Sequence, residues 1–368
     1  MKESDDMTVL YFMIILAVII FIHELGHMLA AKLFGCYVSE FAIGFGPAIF
    51  QKQGKETKYT LRAIPLGGFT GMVESENTPI RFDDEGNPTE FLTVPKKRTF
   101  YGIRIWQRIV VLLAGPVFNL ILACLVYVVA FQINGYIVDP AKPVIKTVVV
   151  DSPAYEAGLR DGDYVKQVVL SDGQKFSPGT FTEMVLKIQN NTDEMKFTIE
   201  RNGSEVVLRV TPKYDENEKR YMIGIISADP EVRKLNFLQA IPEGFKYGIE
   251  SISLTAQSII GLFTGAQKLD SIGGTISIYK YTEEAASLGF VSVLSLLAAL
   301  SISVGLMNLM PIPIFDGGKI VLACAEKVAG HRLSEKVETT MTVIGLGLVF
   351  LLFIVATYQD ILRFFING

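Results

Sequence analysis

The most informative stretch of this chain is Phe21-Ile22-His23-Glu24-Leu25-Gly26-His27-Met28. Its two histidines stand one helical turn apart, with a glutamate beside the first, at the inner end of the apolar run 7–22. An apolar run of this length predicts a membrane-spanning helix, in which ionisable side chains are costly. The stretch therefore predicts a functional site inside a membrane helix.

Composition supports a membrane protein with additional soluble parts. Of the 368 residues, 50% are hydrophobic, and the mean hydropathy of +0.37 is too high for an ordinary soluble protein. The net charge is −4 and the sequence has no basic stripe, so no nucleic-acid partner is expected. Cys36, Cys124 and Cys324 are odd in number and far apart, which argues against a disulfide framework or a thiolate metal site.

The predicted fold class is a polytopic α-helical membrane protein with four transmembrane helices, a membrane-associated β-hairpin region and one α+β domain. The acidic residues 1–6 and the length of the first apolar run predict a retained span instead of a cleaved leader. The segments are 1–34 (first transmembrane helix), 35–103 (β-hairpin region and cytoplasmic loop), 104–136 (second transmembrane helix), 144–212 (α+β domain), 233–290 (amphipathic membrane-surface region), 291–318 (third transmembrane helix), 319–340 (cytoplasmic loop) and 341–368 (fourth transmembrane helix and tail).

Two regions between the spans have their own patterns. Glycine clusters at 44–47 and 65–69 bound strand-like pieces, which predicts one or two hairpins over 38–71; an ordinary cytosolic loop is the alternative. Residues 238–263 have apolar side chains at helical spacing with polar residues between them, which is typical of an amphipathic helix on the membrane face.

The segment 144–212 has the pattern of a small α+β module. A strand is predicted at 144–150, a short helix at 181–188 and a hairpin over 196–210 that turns at Asn202-Gly203.

Basic residues predict the orientation of the spans. The N-terminal flank is acidic, whereas the loop 319–340 is basic. A further basic run precedes the second span, formed by Lys96, Lys97, Arg98, Arg104 and Arg108. The positive-inside rule places both basic stretches in the cytoplasm and the module 144–212 outside. With four spans, His23 and Asp316 then lie in the cytoplasmic half of the membrane.

His23, Glu24 and His27 predict a metal site. One helical turn places both imidazoles on one face, where they can bind the same Zn²⁺, and Glu24 is suited to take a proton from water. A catalytic zinc needs a third protein ligand. Asp316 is the better candidate, because prolines before it break the helix and glycines after it allow close backbone approach; a helix cap or turn is its alternative role. His331, the remaining histidine, lies in the basic loop.

Two asparagines within the apolar spans are further candidates. Asn119 and Asn308 could donate hydrogen bonds to a substrate carbonyl or to an oxyanion as its charge develops. Interhelical packing is the alternative role of both.

At this point the chain resembles the site-2 proteases, which are intramembrane zinc metalloproteases. The resemblance rests on three motifs in the family's order: His23-Glu24-Leu25-Gly26-His27, Gly115-Pro116-x-x-Asn119 and Asn308-x-x-Pro311-x-Pro313-x-x-Asp316-Gly317. Phe315 stands where the family usually has leucine, which is a conservative change.

The module also resembles a domain of this family. Ser152-Pro153-Ala154, Ala157-Gly158-Leu159 and Asp161-Gly162-Asp163 are similar to the PDZ domain of the bacterial, regulator-of-sigma-E branch. Many relatives carry two PDZ domains and only one fits here, so the resemblance is to the single-PDZ members.

The resemblance implies a bacterial enzyme of the inner, or cytoplasmic, membrane with an extracytoplasmic PDZ domain. Zinc would be bound by His23, His27 and Asp316, and Glu24 would be the catalytic base. The family's re-entrant β element engages substrate, which matches 38–71 here. Implied partners are the lipid bilayer, single-pass membrane substrates such as trimmed anti-sigma factors or signal-peptide remnants, and peptide C-termini at the PDZ domain.

A membrane scaffold and a transporter are the two alternative functions. A PDZ-bearing membrane scaffold with a non-catalytic metal site would need a fourth protein ligand, and no suitable residue presents itself. A transporter would distribute polar residues along several spans, whereas here they cluster at the inner ends of two spans, with Asn119 nearby.

Overall fold

The computed structural model describes residues 2–82, 88–189, 191–216, 220–264 and 273–366. Small parts of the predicted segments 1–34, 35–103, 144–212, 233–290 and 341–368 lie outside the described residues. The chain divides into two compact units. The membrane unit is Met1–Asn134 with Phe237–Gly368, and the small unit is Gly135–Asn236.

The helices are α1 (Lys2–Leu33), α2 (Ile105–Asn134), α3 (Pro153–Glu156), α4 (Phe181–Ile188), α5 (Ala240–Thr264), α6 (Thr275–Leu288), α7 (Phe290–Asn308), α8 (Asp316–Ala329) and α9 (Glu335–Ile361). A 3-10 turn occupies Lys96–Arg98, and a π-helical turn, Leu362–Ile366, follows α9.

The strands are β1 (Val38–Gln53), β2 (Lys58–Met72), β3 (Asn77–Phe82), β4 (Pro88–Thr93), β5 (Tyr136–Asp139), β6 (Ile145–Val148), β7 (Tyr164–Val169), β8 (Lys175–Phe176), β9 (Met195–Arg201), β10 (Ser204–Val210), β11 (Lys213–Asp215), β12 (Arg220–Met222), β13 (Ile225–Ser227) and β14 (Glu231–Lys234).

Among the described residues, four helices of the membrane unit are long and apolar enough to cross a membrane. They are Met7–Leu33, Ile105–Asn134, Phe290–Asn308 and Lys336–Ile366, which confirms the four predicted spans. Their outer faces expose large apolar side chains, such as Ile133 and Phe350, that acyl chains of a bilayer would cover.

Small residues bring three of these helices together. A Cβ at Gly26 of α1 would overlap the carbonyl oxygen of Ala114 on α2, so the two backbones are in direct contact. A Cβ at Gly305 of α7 would lie 3.1 Å from the carbonyl oxygen of Pro116 on α2. Close approach through small side chains is the usual way in which membrane helices pack, because lipid supplies no hydrophobic driving force between them.

The helix α5 packs lengthwise against α2. Gly244 faces Val128 and Gly248 faces Cys124, so each helix uses positions one turn apart, and a Cβ at Gly248 would lie 2.7 Å from the Cys124 sulfur. The helix predicted over 238–263 is confirmed. Its location on the membrane surface stays a prediction; the structure adds that glycines hold one of its faces against the second span.

The strands β1 and β2 pair twice. Residues 38–43 pair with 68–72 on one side and with 58–61 on the other, and 48–53 pair with 58–62. The fold-back at Gly44 has φ +90°, a conformation that favours glycine. Residues 68–72, here called the edge strand, therefore lie at one side of the sheet, and no described strand pairs with their outer edge. The predicted hairpin over 38–71 is confirmed.

The small unit contains a four-stranded sheet in the order β10-β9-β7-β8, packed on α4. Fully buried Val165, Met184 and Phe197 lie in its core. The predicted helix at 181–188 is confirmed, and so is the predicted hairpin, which turns at Asn202 and Gly203 with positive φ at both residues.

Candidate metal centre

Three side chains of the membrane unit converge within one cluster. The Nε2 atoms of His23 and His27 are 3.2 Å apart, and each lies 3.2 Å from Oδ2 of Asp316. His27 and Asp316 are buried, and His23 is half-buried. Among the described residues this is the group of histidine, cysteine and acidic side chains that could hold a metal ion.

The cluster fits zinc on its own geometry. Ligand atoms at about 2.0–2.1 Å from a tetrahedral Zn²⁺ stand about 3.3 Å from one another, close to the separations between these three atoms. Oδ2 of Asp316 is buried and makes no hydrogen bond within the described part of the chain, although two imidazole nitrogens lie beside it. A buried carboxylate oxygen without a partner is costly, and a shared cation would satisfy it together with both nitrogens.

A backbone carbonyl of α2 orients His27. Nδ1 of His27 lies 2.8 Å from the carbonyl oxygen of Val111, which can only accept, so Nδ1 carries the proton. The lone pair of Nε2 is then free to face Asp316 and His23. This outer contact is the usual companion of a metal-binding histidine. Gly115, one turn further along α2, makes room for the ring, since a Cβ there would overlap three of its atoms.

Asn119 lies beside the other imidazole. Its side-chain amide is 3.3 Å from Nδ1 of His23, and the residue is completely buried. The amide nitrogen and oxygen can be exchanged without moving the side chain, and Oδ1 otherwise has no hydrogen-bond partner among the described residues. With Oδ1 facing the ring, it accepts from Nδ1–H and leaves the His23 Nε2 lone pair for a metal.

Asp316 reaches the cluster at the start of a helix. The third span, α7, ends at Asn308, and Asp316 is the first residue of α8. Within the segment 291–318 the span therefore ends at Asn308, and α8 begins after the predicted helix break at Pro311 and Pro313, which interrupt the hydrogen-bond ladder. The predicted loop 319–340 also differs, since α8 occupies its first part.

Two glycines after Asp316 allow this arrangement. A Cβ at Gly317 would overlap the carbonyl oxygen of Leu309, and one at Gly318 would overlap that of Ile312. The first turn of α8 is thus pressed directly onto the backbone that precedes it. These overlaps confirm the prediction that the two glycines permit close backbone approach.

The carboxylate of Glu24 contacts the β sheet. Oγ1 of Thr70 donates to Oε2 of Glu24 at 2.9 Å and lies 3.0 Å from the Glu24 carbonyl oxygen. Thr70 belongs to the edge strand. Sequence reasoning missed Thr70 and Val111, because nothing local marks a threonine or a carbonyl as a partner of a distant helix.

The two remaining candidates, Asn308 and His331, make hydrogen bonds to backbone carbonyls near them in the chain. The Asn308 amide donates to the carbonyl oxygen of Val304 in its own helix, at 3.1 Å. His331 is exposed in the turn after α8, where its Nδ1 lies 3.0 Å from the carbonyl oxygen of Arg332. The structure brings His23, His27 and Asp316 together, and His331 does not join them.

Comparison with known proteins agrees with this geometry. The chain matches the peptidase family M50 over residues 11–352. It is 29% identical to the regulator of sigma-W protease RasP of Bacillus subtilis, over 98% of this chain and 99% of the relative. It is 30% identical to the zinc metalloprotease RasP of Geobacillus kaustophilus, again over 98% of this chain and 99% of the relative.

The chain therefore belongs to peptidase family M50, the site-2 proteases. It is a bacterial membrane protein and a zinc metalloprotease of intramembrane proteolysis, and its substrates are membrane proteins.

Proposed function

We propose that this protease cleaves peptide bonds within or next to the transmembrane segments of single-pass membrane proteins, using a zinc held by His23, His27 and Asp316. The observation that carries the proposal is the triangle of three ligand atoms at mutual separations of 3.2 Å inside a bundle of apolar helices. Trimmed anti-sigma factors and signal-peptide remnants are the substrate classes that we propose, since one relative is named for regulation of a sigma factor.

Glu24 and Asn119 have different roles in the proposed reaction. When bound, zinc supplies Lewis acidity that acidifies water and polarises a peptide carbonyl. Glu24 takes the proton of the attacking water on its carboxylate and passes it to the leaving amine. Asn119 fixes the orientation of His23. A role of Asn119 or Asn308 in stabilising the oxyanion remains a prediction; Asn119 is fully buried against His23, which favours orientation over substrate contact.

The β sheet supplies a way to present a substrate. A peptide bond inside a helix must be unwound before hydrolysis, and its freed backbone groups then need partners in a non-aqueous setting. No described strand pairs with the outer edge of the edge strand 68–72, which belongs to the same unit as the cluster, and Thr70 of this strand contacts Glu24. Strand addition to this edge would satisfy an unwound substrate and place it near the catalytic base.

The small unit is proposed to be a PDZ domain outside the cytoplasm. An apolar groove of about 210 Å³ runs between α4 and the strand β13, and its lining includes Val185, Ile188 and Ile225. β13 pairs with β6 on one side, and no described strand pairs with its other edge. Such a groove suits an extended C-terminal peptide, and exclusion of untrimmed substrates by bulk is the alternative role.

Orientation follows from charge. Basic residues crowd the start of α2 and the α8–α9 region, and the positive-inside rule places both in the cytoplasm. His23, His27 and Asp316 then lie toward the cytoplasmic side of the bacterial inner membrane, and the small unit lies outside.

Cleavage of a tagged single-pass substrate by purified enzyme tests the proposal. Glu24→Gln is expected to lose cleavage with its zinc content unchanged, because the carboxylate acts on protons and not as a ligand. Asp316→Ala is expected to lose zinc, and His331→Ala to retain it. Unaltered cleavage by Glu24→Gln would instead favour a scaffold with a non-catalytic metal site, and loss of zinc in His331→Ala alone would overturn the ligand assignment.

A further inference from the structure

The edge strand touches the catalytic glutamate at two alternating positions. Gly68 and Thr70 point to the same side of the sheet, as residues two apart in a strand do, and α1 lies on that side. A Cβ at Gly68 would lie 3.2 Å from Cγ of Glu24 and 2.9 Å from Cγ2 of Ile20. The absent side chain at position 68 therefore leaves the space that the Glu24 stem occupies.

The hydroxyl of Thr70 completes the contact. It has one proton to donate, and Oε2 of Glu24 at 2.9 Å is a charged acceptor, whereas the Glu24 carbonyl at 3.0 Å is neutral. Hydrogen bonds to a charged oxygen are the stronger kind. A glutamate side chain has three rotatable bonds, and holding its carboxylate in one place has an entropic cost that this bond offsets.

From these contacts we infer that Thr70 is a positioning residue for Glu24, which ties the catalytic carboxylate to the strand that receives the substrate. The inference rests on the proposed function of Glu24 and of the edge strand. Thr70 touches no reacting atom and acts through the carboxylate. A substrate paired to residues 68–72 restrains this strand, so docking and orientation of the base are coupled through one hydroxyl.

The sheet provides a matched control. Thr60 is also a threonine of β2, and its Oγ1 donates to Oε1 of Glu40 at 2.6 Å, away from Glu24. Thr60→Val removes a hydroxyl from the same sheet with the same change in shape. Thr70→Val is the test variant, and Thr70→Ser keeps the hydroxyl while losing the methyl group.

The experiment measures kcat, KM and zinc content of the purified full chain with a single-pass substrate. Thr70→Val is expected to lower kcat by about 10- to 100-fold with KM and zinc content near those of the unmodified protein. Thr70→Ser is expected to restore most of kcat, and Thr60→Val to leave it within about threefold. The inference is wrong if Thr70→Val keeps its kcat or loses its zinc, if Thr70→Ser is equally impaired, or if Thr60→Val shows the same loss.

A second measurement separates this inference from the proposed function. Amide hydrogen exchange over 68–72 is expected to be faster in Thr70→Val than in the unmodified protein and unchanged in Thr70→Ser, because the tie to α1 is lost only in the former. If the unmodified protein and Glu24→Gln cleave every substrate at the same rate, the proposed function is wrong. Amide hydrogen exchange over 68–72 would still show whether Thr70 holds the edge strand to α1. Unchanged exchange in Thr70→Val overturns that link.

Discussion

The imidazole of His27 is oriented by a carbonyl of another helix: its Nδ1 lies 2.8 Å from the backbone oxygen of Val111. A backbone carbonyl cannot be removed by mutating its side chain, so this contact is set by how closely α1 and α2 pack. That packing depends on Gly26, which meets the Ala114 carbonyl, and on Gly115, which meets the His27 ring. The geometry of the metal site therefore depends on how α1 and α2 pack as well as on the three ligands.

Gly115→Ala is expected to damage the zinc site. A Cβ at position 115 would overlap the His27 ring, so the ring or the helix must move. We expect zinc affinity to fall by about tenfold or more, as it does when the outer contacts of a metal-binding histidine are disturbed. Chelator competition measures this affinity.

Gly347→Ala in α9 is the control for this substitution. Among the described residues, no atom outside the neighbouring turns of its own helix lies within 4 Å of a Cβ at position 347, so alanine adds only its better helix propensity, which stabilises by up to about 1 kcal/mol. Equal zinc affinities of the two variants would contradict the steric argument.

Asn119→Leu is expected to weaken zinc binding while keeping the helix packing largely intact. The leucine removes the amide that meets Nδ1 of His23 at 3.3 Å, so the ring loses the partner that fixes its tautomer. Loss of such a contact typically reduces metal affinity by about 10- to 100-fold. Asn308→Leu serves as the comparison, because its amide bonds only to Val304 of its own helix among the described contacts. Equal zinc affinities of the two variants would exclude an orienting role.

The ion pair between Arg108 and Glu326 is expected to anchor α8 to α2. The two side chains are buried and meet at 2.6 Å, and Glu326 lies in the same helix as Asp316. Glu326→Ala leaves a buried guanidinium without its partner, which typically costs about 3–5 kcal/mol of stability. Thermal unfolding in detergent measures the change.

The exposed pair formed by Lys280 and Glu283 is the control for the buried pair, with N···O 2.9 Å. Glu283→Ala is expected to change the stability by less than about 1 kcal/mol, because solvent screens such pairs. Comparable losses of stability in Glu283→Ala and Glu326→Ala would show that burial does not increase the contribution of the Arg108–Glu326 pair.

Cys36 and Cys324 are expected to differ in reactivity. Burial raises the pKa of the Cys36 thiol to about 11, although the nearby charge of Arg98 opposes the shift, and Cys324 is exposed. Only the thiolate reacts, so at pH 8 about one Cys36 in a thousand is in the reactive form, and this fraction rises tenfold per pH unit. Alkylation followed by peptide mapping should modify Cys324 first. Early labelling of Cys36 in the folded protein would contradict its burial.

Much of this architecture could be predicted from the sequence because the determinants are local. A long apolar run specifies a span, and two histidines one turn apart specify a shared helix face. The span at 7–34 and the convergence of His23 and His27 could therefore both be predicted. The helix at 181–188 and the turn at Asn202-Gly203 were predicted for the same reason.

The parts that could not be predicted depend on residues far apart in the chain. The Thr70–Glu24 bond joins a strand to a helix 46 residues away, and the contact of Gly115 with His27 depends on how two spans are rotated. Nothing in the sequence indicates that Gly244 and Gly248 of α5 contact α2. The helix that starts at Asp316 was not predicted, because its amphipathic pattern is short and follows two prolines, which favoured a loop.

The metal site is assembled from helices that lie far apart in the sequence. His23, Glu24 and His27 belong to α1 and are synthesised well before Asp316, which belongs to α8 and follows the third span. A chain still leaving the ribosome carries two ligands and the base but lacks the carboxylate that completes the triangle. Because Asp316 completes the triangle, we expect the protease to become active only after the third span and the start of α8 have been made.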